Sequence, residues 1–180
     1  MDSKKEGGLE VDSRIDYPRA INHVGLTVPD LEKAVDWYQS VLGFRVLMGP
    51  YEISVGDSYG SRMLKDFFGP ELKRLRMVHM STSNGVGLEI FEFVEPRTQL
   101  PENNFEYTKA GFYHICITDP NVEGLFKRIV ESGGKEVSGV WEIYRDSGFK
   151  AVYCKDPFGN IIEVFSHDYE KVWSDKKNKD

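Results

Sequence analysis

Residues 21–46, INHVGLTVPDLEKAVDWYQSVLGFRV, repeat without a gap at residues 112–137, FYHICITDPNVEGLFKRIVESGGKEV. The offset between the two stretches is 91 residues, and it places His23 on His114. Internal similarity at a fixed spacing is typical of a repeated structural unit. The sequence therefore predicts two copies of one module.

Each copy begins with a short β-rich run that ends at a proline, a residue that suits the end of a strand and the start of a helix. Pro-Asp-Leu-Glu in the first copy and Pro-Asn-Val-Glu in the second supply helix-start residues. A helical apolar periodicity follows in both copies and stops at glycine, which commonly ends helices in a left-handed conformation. We therefore predict a strand, a helix and a further strand in each copy.

The second halves of the copies also match, but at an offset of 74 residues, which aligns Glu89 in GLEIF with Glu163 in IIEVF. The first copy therefore carries 17 extra residues between its helix and its last strand, and MLKDFF within them predicts a short extra helix. The whole pattern is strand, helix and three strands, twice, in an α+β protein. One helix is too little to cover both faces of a four-stranded sheet, so we expect the copies to pack into one unit.

The folded unit is expected to span residues 18–172 as a single domain, with module one at about 18–97 and module two at about 110–170. Residues 1–17 and 173–180 are polar or charged and are predicted to be a flexible amino-terminal tail and a charged carboxyl-terminal tail.

Composition limits the classes of partner. The 180 residues include 23 basic and 29 acidic side chains, a net charge of -6, so we expect no nucleic-acid partner, because phosphate neutralisation needs a concentrated basic surface. No apolar run approaches the length of a membrane span, and the amino terminus shows no export signal, so the sequence predicts a cytoplasmic protein without a membrane partner. Cys116 and Cys154 lie in strand-like runs and are predicted to be small buried hydrophobic residues.

Histidine on the first strand and glutamate on the last strand of each module resemble the vicinal oxygen chelate superfamily, which includes glyoxalase I, methylmalonyl-CoA epimerase, extradiol dioxygenases and bleomycin-resistance proteins. The segments that carry the resemblance are INHVGLTVPDLEKAVDWYQSVLGF, NGVGLEIFEF, GFYHICITDP and DPFGNIIEVFSH, within about residues 21–168. The resemblance implies the glyoxalase/bleomycin resistance/dioxygenase fold, in which tandem βαβββ modules form a cupped, mostly antiparallel sheet. It also implies a homodimer, whose metal site is built within one chain or across two.

The residue types themselves favour one divalent metal ion. Two imidazoles and two carboxylates form a charge-neutral set of good ligands for Zn, Ni, Co, Mn or Fe. Side chains alternate between the two faces of a strand, and this alternation places His23 on the less apolar face of its strand. Glu89 and Glu163 also lie on the less apolar face, because the aliphatic residues on either side of each point to the other face. We predict His23, Glu89, His114 and Glu163 as the metal ligands.

By resemblance to glyoxalase I, the activity is that of a metal-dependent lyase or isomerase acting on a small molecule. Such an enzyme abstracts a proton next to a carbonyl and stabilises an enediolate on the metal. The resemblance assigns Glu163 as catalytic base as well as ligand, and allows Glu89 to share the proton transfer.

Two alternatives stay open. One is an Fe(II)-dependent extradiol-type dioxygenase, against which Glu89 counts, because a fourth protein ligand occupies a position that oxygen chemistry needs. The other is a non-catalytic small-molecule binding protein of the resistance type, which usually lacks the metal residues that are present here.

Three further residues have weaker assignments. Glu92 is expected to face solvent, because its position in the strand differs in parity from Glu89. His79 aligns with Tyr153 of the second copy and could share a face with Glu89, but a strand histidine without a metal role is the default interpretation. Arg76 is expected to be a solvated charge.

Overall fold

The structure, a computed structural model, describes residues 18–100 and 106–174. The elements follow one another as β1 (His23–Thr27), α1 (Leu31–Leu42), β2 (Arg45–Ser54), α2 (Tyr59–Phe68), β3 (Arg74–Ser81), β4 (Gly87–Glu95), β5 (Ile115–Thr118), α3 (Val122–Glu131), β6 (Lys135–Glu136), β7 (Trp141–Glu142), β8 (Lys150–Lys155), β9 (Ile161–Phe165) and α4 (Tyr169–Trp173).

Each module forms its own sheet. The strand order is β1-β4-β3-β2 in the first sheet and β5-β9-β8-β6 in the second, where β7 also pairs with β8. The first strand of each module runs parallel to the last one, β1 to β4 and β5 to β9, and the other pairs are antiparallel. The predicted α+β class with tandem βαβββ modules is confirmed. In the second module two short strands, β6 and β7, take the place of the single strand β2.

The helix limits follow from local sequence. Asp30 accepts a hydrogen bond from the backbone N–H of Lys33 at the start of α1, and Gly43 ends that helix with a φ of 71°. Asn121 caps α3 in the same way by accepting from the N–H of Gly124. Helix α2 contains the predicted MLKDFF segment and confirms the extra helix of module one. Helix α4 after the last strand was not predicted.

One hydrophobic core joins the modules, and we call it the shared core. It contains the inward faces of both helices α1 and α3 together with aliphatic residues of both sheets, Val78, Met80, Leu88 and Ile90 from the first and Val152, Cys154, Ile162 and Val164 from the second. Helices α1 and α3 contact each other within it. The two modules therefore meet through their helices, and no strand of one sheet pairs with a strand of the other in the described ranges.

Two hydrogen bonds from α1 reinforce the contact between the modules. Trp37 Nε1 donates to the carbonyl of Ser132 over 3.0 Å, and the buried Tyr38 hydroxyl donates to Asp156 Oδ2 over 2.9 Å. Because Ser132 ends α3 and Asp156 precedes β9, these bonds fix the first module on two separate elements of the second.

The opposite face of each sheet, turned away from the shared core, is called the outer face here. On the first sheet, Leu64 of α2 packs with Leu72, Leu75, Met77 and Phe91 and covers one end of the outer face. On the second sheet, Val172 of α4 packs with Ala151 and Phe165 and does the same. Each outer face thus has an apolar end closed by a helix beside a polar end.

The predicted tails fall mostly outside the described residues, which begin at residue 18 and end at residue 174. The domain was predicted to end at residue 172, and helix α4 ends at Trp173. No helix in the described parts of the chain is long and apolar enough to cross a membrane.

Candidate metal centre

The parallel pairing of β1 and β4 brings His23 and Glu89 together. In that register His23 lies beside Gly87 and Gly25 beside Glu89, and a Cβ on Gly87 would approach the His23 Cβ to 3.0 Å. The missing side chain at position 87 leaves room for the imidazole, whose Nε2 lies 3.3 Å from Glu89 Oε2.

The other ring nitrogen of His23 has a partner as well. Nδ1 lies 2.8 Å from the side-chain oxygen of Asn22, which accepts if Nδ1 carries the hydrogen. This tautomer leaves the Nε2 lone pair directed toward Glu89. Metal-binding histidines commonly show this arrangement, in which the second N–H donates to an oxygen that orients the ring.

The second module repeats the arrangement. His114, just before β5, places Nε2 3.2 Å from Glu163 Oε2. Cys116 is registered directly beside Glu163, close enough for the charge of that carboxylate to act on the thiol. The Tyr113 and Tyr153 rings contact the His114 ring with centroid distances of 4.6 and 5.4 Å. A carboxylate, an imidazole and two phenol rings therefore lie together at the polar end of the second outer face.

The structure thus brings the four predicted residues together in two pairs. Both pairs lie on outer faces, because their strand neighbours, such as Ile90 and Val164, point into the shared core. Within residues 18–100 and 106–174, no three His, Cys, Asp or Glu side chains lie close enough to hold one metal ion. The four residues do not meet in one chain, and the complete quartet stays a prediction.

His79 and Tyr51 extend the first pair. His79 Nδ1 lies 3.2 Å from Glu89 Oε1, and the Tyr51 hydroxyl lies 2.9 Å from His79 Nε2. The position of His79 follows from its register opposite Glu89 in the antiparallel pair β3–β4. Tyr51 was not predicted, because irregularities in β2 on both sides of Met48 shift its alternation relative to β3.

The surroundings of both carboxylates change the acidity of their neighbours. Although Cys116 as a residue is exposed, its sulfur is partly shielded from water, and this shielding and then the charge of Glu163 raise the pKa of the thiol to about 12. Burial and the same charge raise the pKa of Tyr153, while burial and the charge of Glu89 raise that of Tyr51. These thiol and phenol groups are therefore neutral hydrogen-bond donors near pH 7.

Three predictions about single residues were wrong. Cys154 is buried, but Cys116 is exposed, because strand alternation places it on the outer face with His114. Glu92 does not simply face solvent: its Oε2 accepts from the N–H of Leu31 over 3.1 Å and from Arg76 over 3.0 Å. Arg76, expected to be solvated, also pairs with Glu32, so it ties the start of α1 to the first sheet.

Each pair fits a metal ion by its chemistry and spacing. An imidazole and a carboxylate are the donors that zinc and related divalent ions prefer. Two atoms that bind one ion at about 2.1 Å each lie about 3.0 to 3.4 Å apart at octahedral or tetrahedral angles. The N–O separations of 3.3 and 3.2 Å in the two pairs lie within this range.

Comparisons with known proteins agree with this architecture. Residues 20–164 match the family model described as Glyoxalase/Bleomycin resistance protein/Dioxygenase superfamily. The chain belongs to this superfamily. The resemblance predicted from the sequence is thereby confirmed.

Individual superfamily members show how far the similarity extends. A 2-epi-5-epi-valiolone epimerase from Actinomyces sp is 29% identical over 152 residues, which cover 82% of this chain and 79% of that protein. A glyoxalase family protein from Bacillus cereus superposes with a TM-score of 0.67 at 16% identity, covering 84% of this chain and 97% of the other. A variant of the fosfomycin resistance protein FosX from Listeria monocytogenes, complexed with Mn(II) and dihydroxypropylphosphonic acid, gives a TM-score of 0.54 at 16% identity, covering 87% and 98%. At these identities the solved structures show the fold alone.

Proposed function

We propose that this protein is a metal-dependent isomerase or lyase that moves a proton at a carbon next to a carbonyl. The observation that carries the proposal is the pair of equivalent His–Glu contacts, 3.3 and 3.2 Å long, at corresponding positions of two repeated modules. A lone strand histidine beside a glutamate has many possible roles. The same contact at the corresponding position of the second repeat favours the same role, metal binding, for both His–Glu pairs.

A homodimer would complete the site. Within one chain the His–Glu pairs lie on outer faces that point away from the common core, so the chain cannot surround one ion with both pairs. A second copy, docked with its second module over the first module of its partner, would bring His23 and Glu89 of one protomer to His114 and Glu163 of the other. Two-fold symmetry then creates two equivalent sites per dimer.

In this assembly His23, Glu89, His114 and Glu163 would hold the ion. When bound, a divalent metal supplies Lewis acidity that polarises a substrate carbonyl oxygen and makes the neighbouring C–H more acidic. The protein's part is to bind the substrate between two outer faces, exclude water and accept the proton.

Glu163 is the carboxylate best suited to accept that proton. Its side chain is 14% exposed, against 26% for Glu89. Within the described residues the imidazole of His114 and the thiol of Cys116 lie beside it, and no ion pair joins it to a lysine or arginine. A carboxylate that no lysine or arginine holds is free to accept a proton from a substrate bound beside it. Return of a proton to the opposite face of that carbon would invert its configuration, whereas return to the same face would only restore the substrate.

The 29% identical relative named as an epimerase supports this class of reaction. An epimerase inverts one stereocentre, and removal and return of a proton next to a carbonyl is a direct way to do so. We therefore favour isomerisation of a small carbonyl compound by this chain.

Metal analysis with ligand variants tests the proposal. We expect about one divalent ion per chain, lost or strongly weakened in Glu163→Ala and in His114→Ala, because each variant removes one of four ligands. His167→Ala is the control, since His167 contacts Ser166 and the Phe149 ring instead of the predicted ligands. Unchanged metal content in both ligand variants contradicts the proposed site.

The reaction is tested separately by incorporation of solvent deuterium next to the carbonyl of candidate 2-oxo compounds and cyclic ketones. We expect exchange in the metal-loaded protein and its loss in Glu163→Gln. Oxygen consumption with a catechol, without such exchange, would instead indicate the dioxygenase alternative.

A further inference from the structure

Glu89 and Glu163 occupy equivalent positions but have different neighbours. Glu89 contacts two histidines, His23 through Oε2 at 3.3 Å and His79 through Oε1 at 3.2 Å. At the place of His79, opposite Glu163 in the β8–β9 register, the second module has Tyr153. Both oxygens of the first carboxylate therefore lie against imidazoles, whereas the second contacts one imidazole and has Cys116 and Tyr153 beside it on the neighbouring strands.

Hydrogen-bond chemistry fixes the direction of the His79 contact. A carboxylate oxygen has no hydrogen to donate when ionised, so an imidazole nitrogen 3.2 Å from it is attracted to it only when that nitrogen, here Nδ1 of His79, carries a hydrogen. This holds for the neutral and for the cationic ring. In the neutral ring, Nε2 is then an acceptor, and the Tyr51 hydroxyl, 2.9 Å away, donates to it.

The rings of Tyr51 and His79 are held on two paired strands. Tyr51 belongs to β2 and His79 to β3, and both are partly buried on the outer face of the first sheet. Tyr51 packs against the apolar cluster beneath α2, so its hydroxyl is presented from a fixed support. A donor on a rigid support limits the rotation of the group that it contacts.

We propose that His79, oriented by Tyr51, is a positioning residue that ties up one oxygen of Glu89 and leaves only Oε2 to bind the metal. The inference rests on the proposed function, and it assigns to Glu89 the role of a fixed ligand that binds through one oxygen.

Cobalt(II) binding to the full-length protein, stripped of metal with a chelator, tests whether His79 positions Glu89. In His79→Leu we expect cobalt(II) affinity to fall about 10- to 100-fold, the usual effect of losing a group that orients a metal ligand. The visible absorption of bound cobalt(II) should also change, because Glu89 becomes free to bind through both oxygens.

Two further variants separate positioning from other roles. His79→Asn places an amide N–H near the Nδ1 position and should restore wild-type affinity and spectrum. Tyr51→Phe removes only the hydroxyl and should weaken cobalt(II) binding about tenfold or less, with the fold intact. His167→Leu is the matched control histidine, and thermal unfolding of each variant shows whether it is folded.

Two results would overturn the inference. Wild-type affinity and spectrum in a folded His79→Leu protein would show that His79 does not position Glu89. Equal losses in the Leu and Asn variants would show that the ring itself binds the metal. Failure of the proposed function is distinct from both, because then Glu163→Ala and His114→Ala also leave metal binding unchanged.

Discussion

Replacement of Tyr38 by phenylalanine tests how the two modules are fixed relative to each other. The Tyr38 hydroxyl is fully buried and donates over 2.9 Å to Asp156, which is 1% exposed. Asp156 keeps its bonds from the N–H groups of Phe158 and Asn160 and from the Asn160 amide, so the carboxylate loses one donor of several. A hydrogen bond to a charged group contributes about 1.5 to 3 kcal/mol, and we expect this loss in the free energy of unfolding.

Urea unfolding at neutral pH measures the effect directly. For a chain of this size the loss corresponds to a decrease in Tm of about 3 to 12 °C. Tyr59→Phe is the control, because Tyr59 is 78% exposed and its hydroxyl should contribute less than about 0.5 kcal/mol. Equal stability of Tyr38→Phe and wild type would refute the role of this bond in joining the modules.

Three further predictions concern the same framework. Burial raises the pKa of Asp156 in the folded state above its ordinary value of 3.8. Above about pH 4 the folded protein therefore holds a proton on Asp156 that the unfolded chain has lost, and the stability contributed by this group falls as the pH rises from there to the folded-state pKa. Asp156→Asn should lack this decline in urea titrations between about pH 4 and 7, and parallel curves would contradict the assignment. Leu64→Ala should lower the free energy of unfolding by about 2 to 5 kcal/mol, because Leu64 lies on the buried face of α2 and is 8% exposed. Met63→Ala on the same helix, where Met63 is 41% exposed, should cost much less, and equal losses would contradict the packing of α2. Arg76→Met should lower the Tm because it leaves the partly buried Glu92 without its charge partner, and an unchanged Tm would count against that contact.

The repeat made much of the fold predictable. Aligned prolines, helix caps and glycines located α1 and α3, and aligned glutamates located the last strand of each module. Strand alternation predicted that His23 and Glu89 lie opposite the aliphatic faces of their strands, but their direct contact depends on the parallel pairing of β1 with β4, which was not predicted. Cys116 could have been assigned by the same alternation, which puts it on the face of His114, but its apolar neighbours suggested burial instead.

Other features depend on long-range packing that no local pattern encodes. The shared core, in which α1 and α3 meet, directs the two His–Glu pairs away from each other, and residue spacing alone cannot show this. The contact of Tyr51 with His79 depends on irregular pairing of β2, which breaks the alternation used to assign faces. Glu92 was correctly separated from Glu89 by parity, but its partners come from α1 and β3.

Mixed dimers of two inactive variants test the central claim, that each metal site takes one His–Glu pair from each of two protomers. Glu89→Ala and Glu163→Ala each damage every site in their own homodimers. A mixed dimer contains one site with both defects and one intact site. Random pairing of equal amounts makes about half of the dimers mixed, so refolding the two variants together should recover about a quarter of the wild-type number of cobalt(II) sites. Recovery near that level, with none in either parent alone, is the result we predict. Absence of tight cobalt(II) binding in a mixture shown to contain mixed dimers would contradict the shared site.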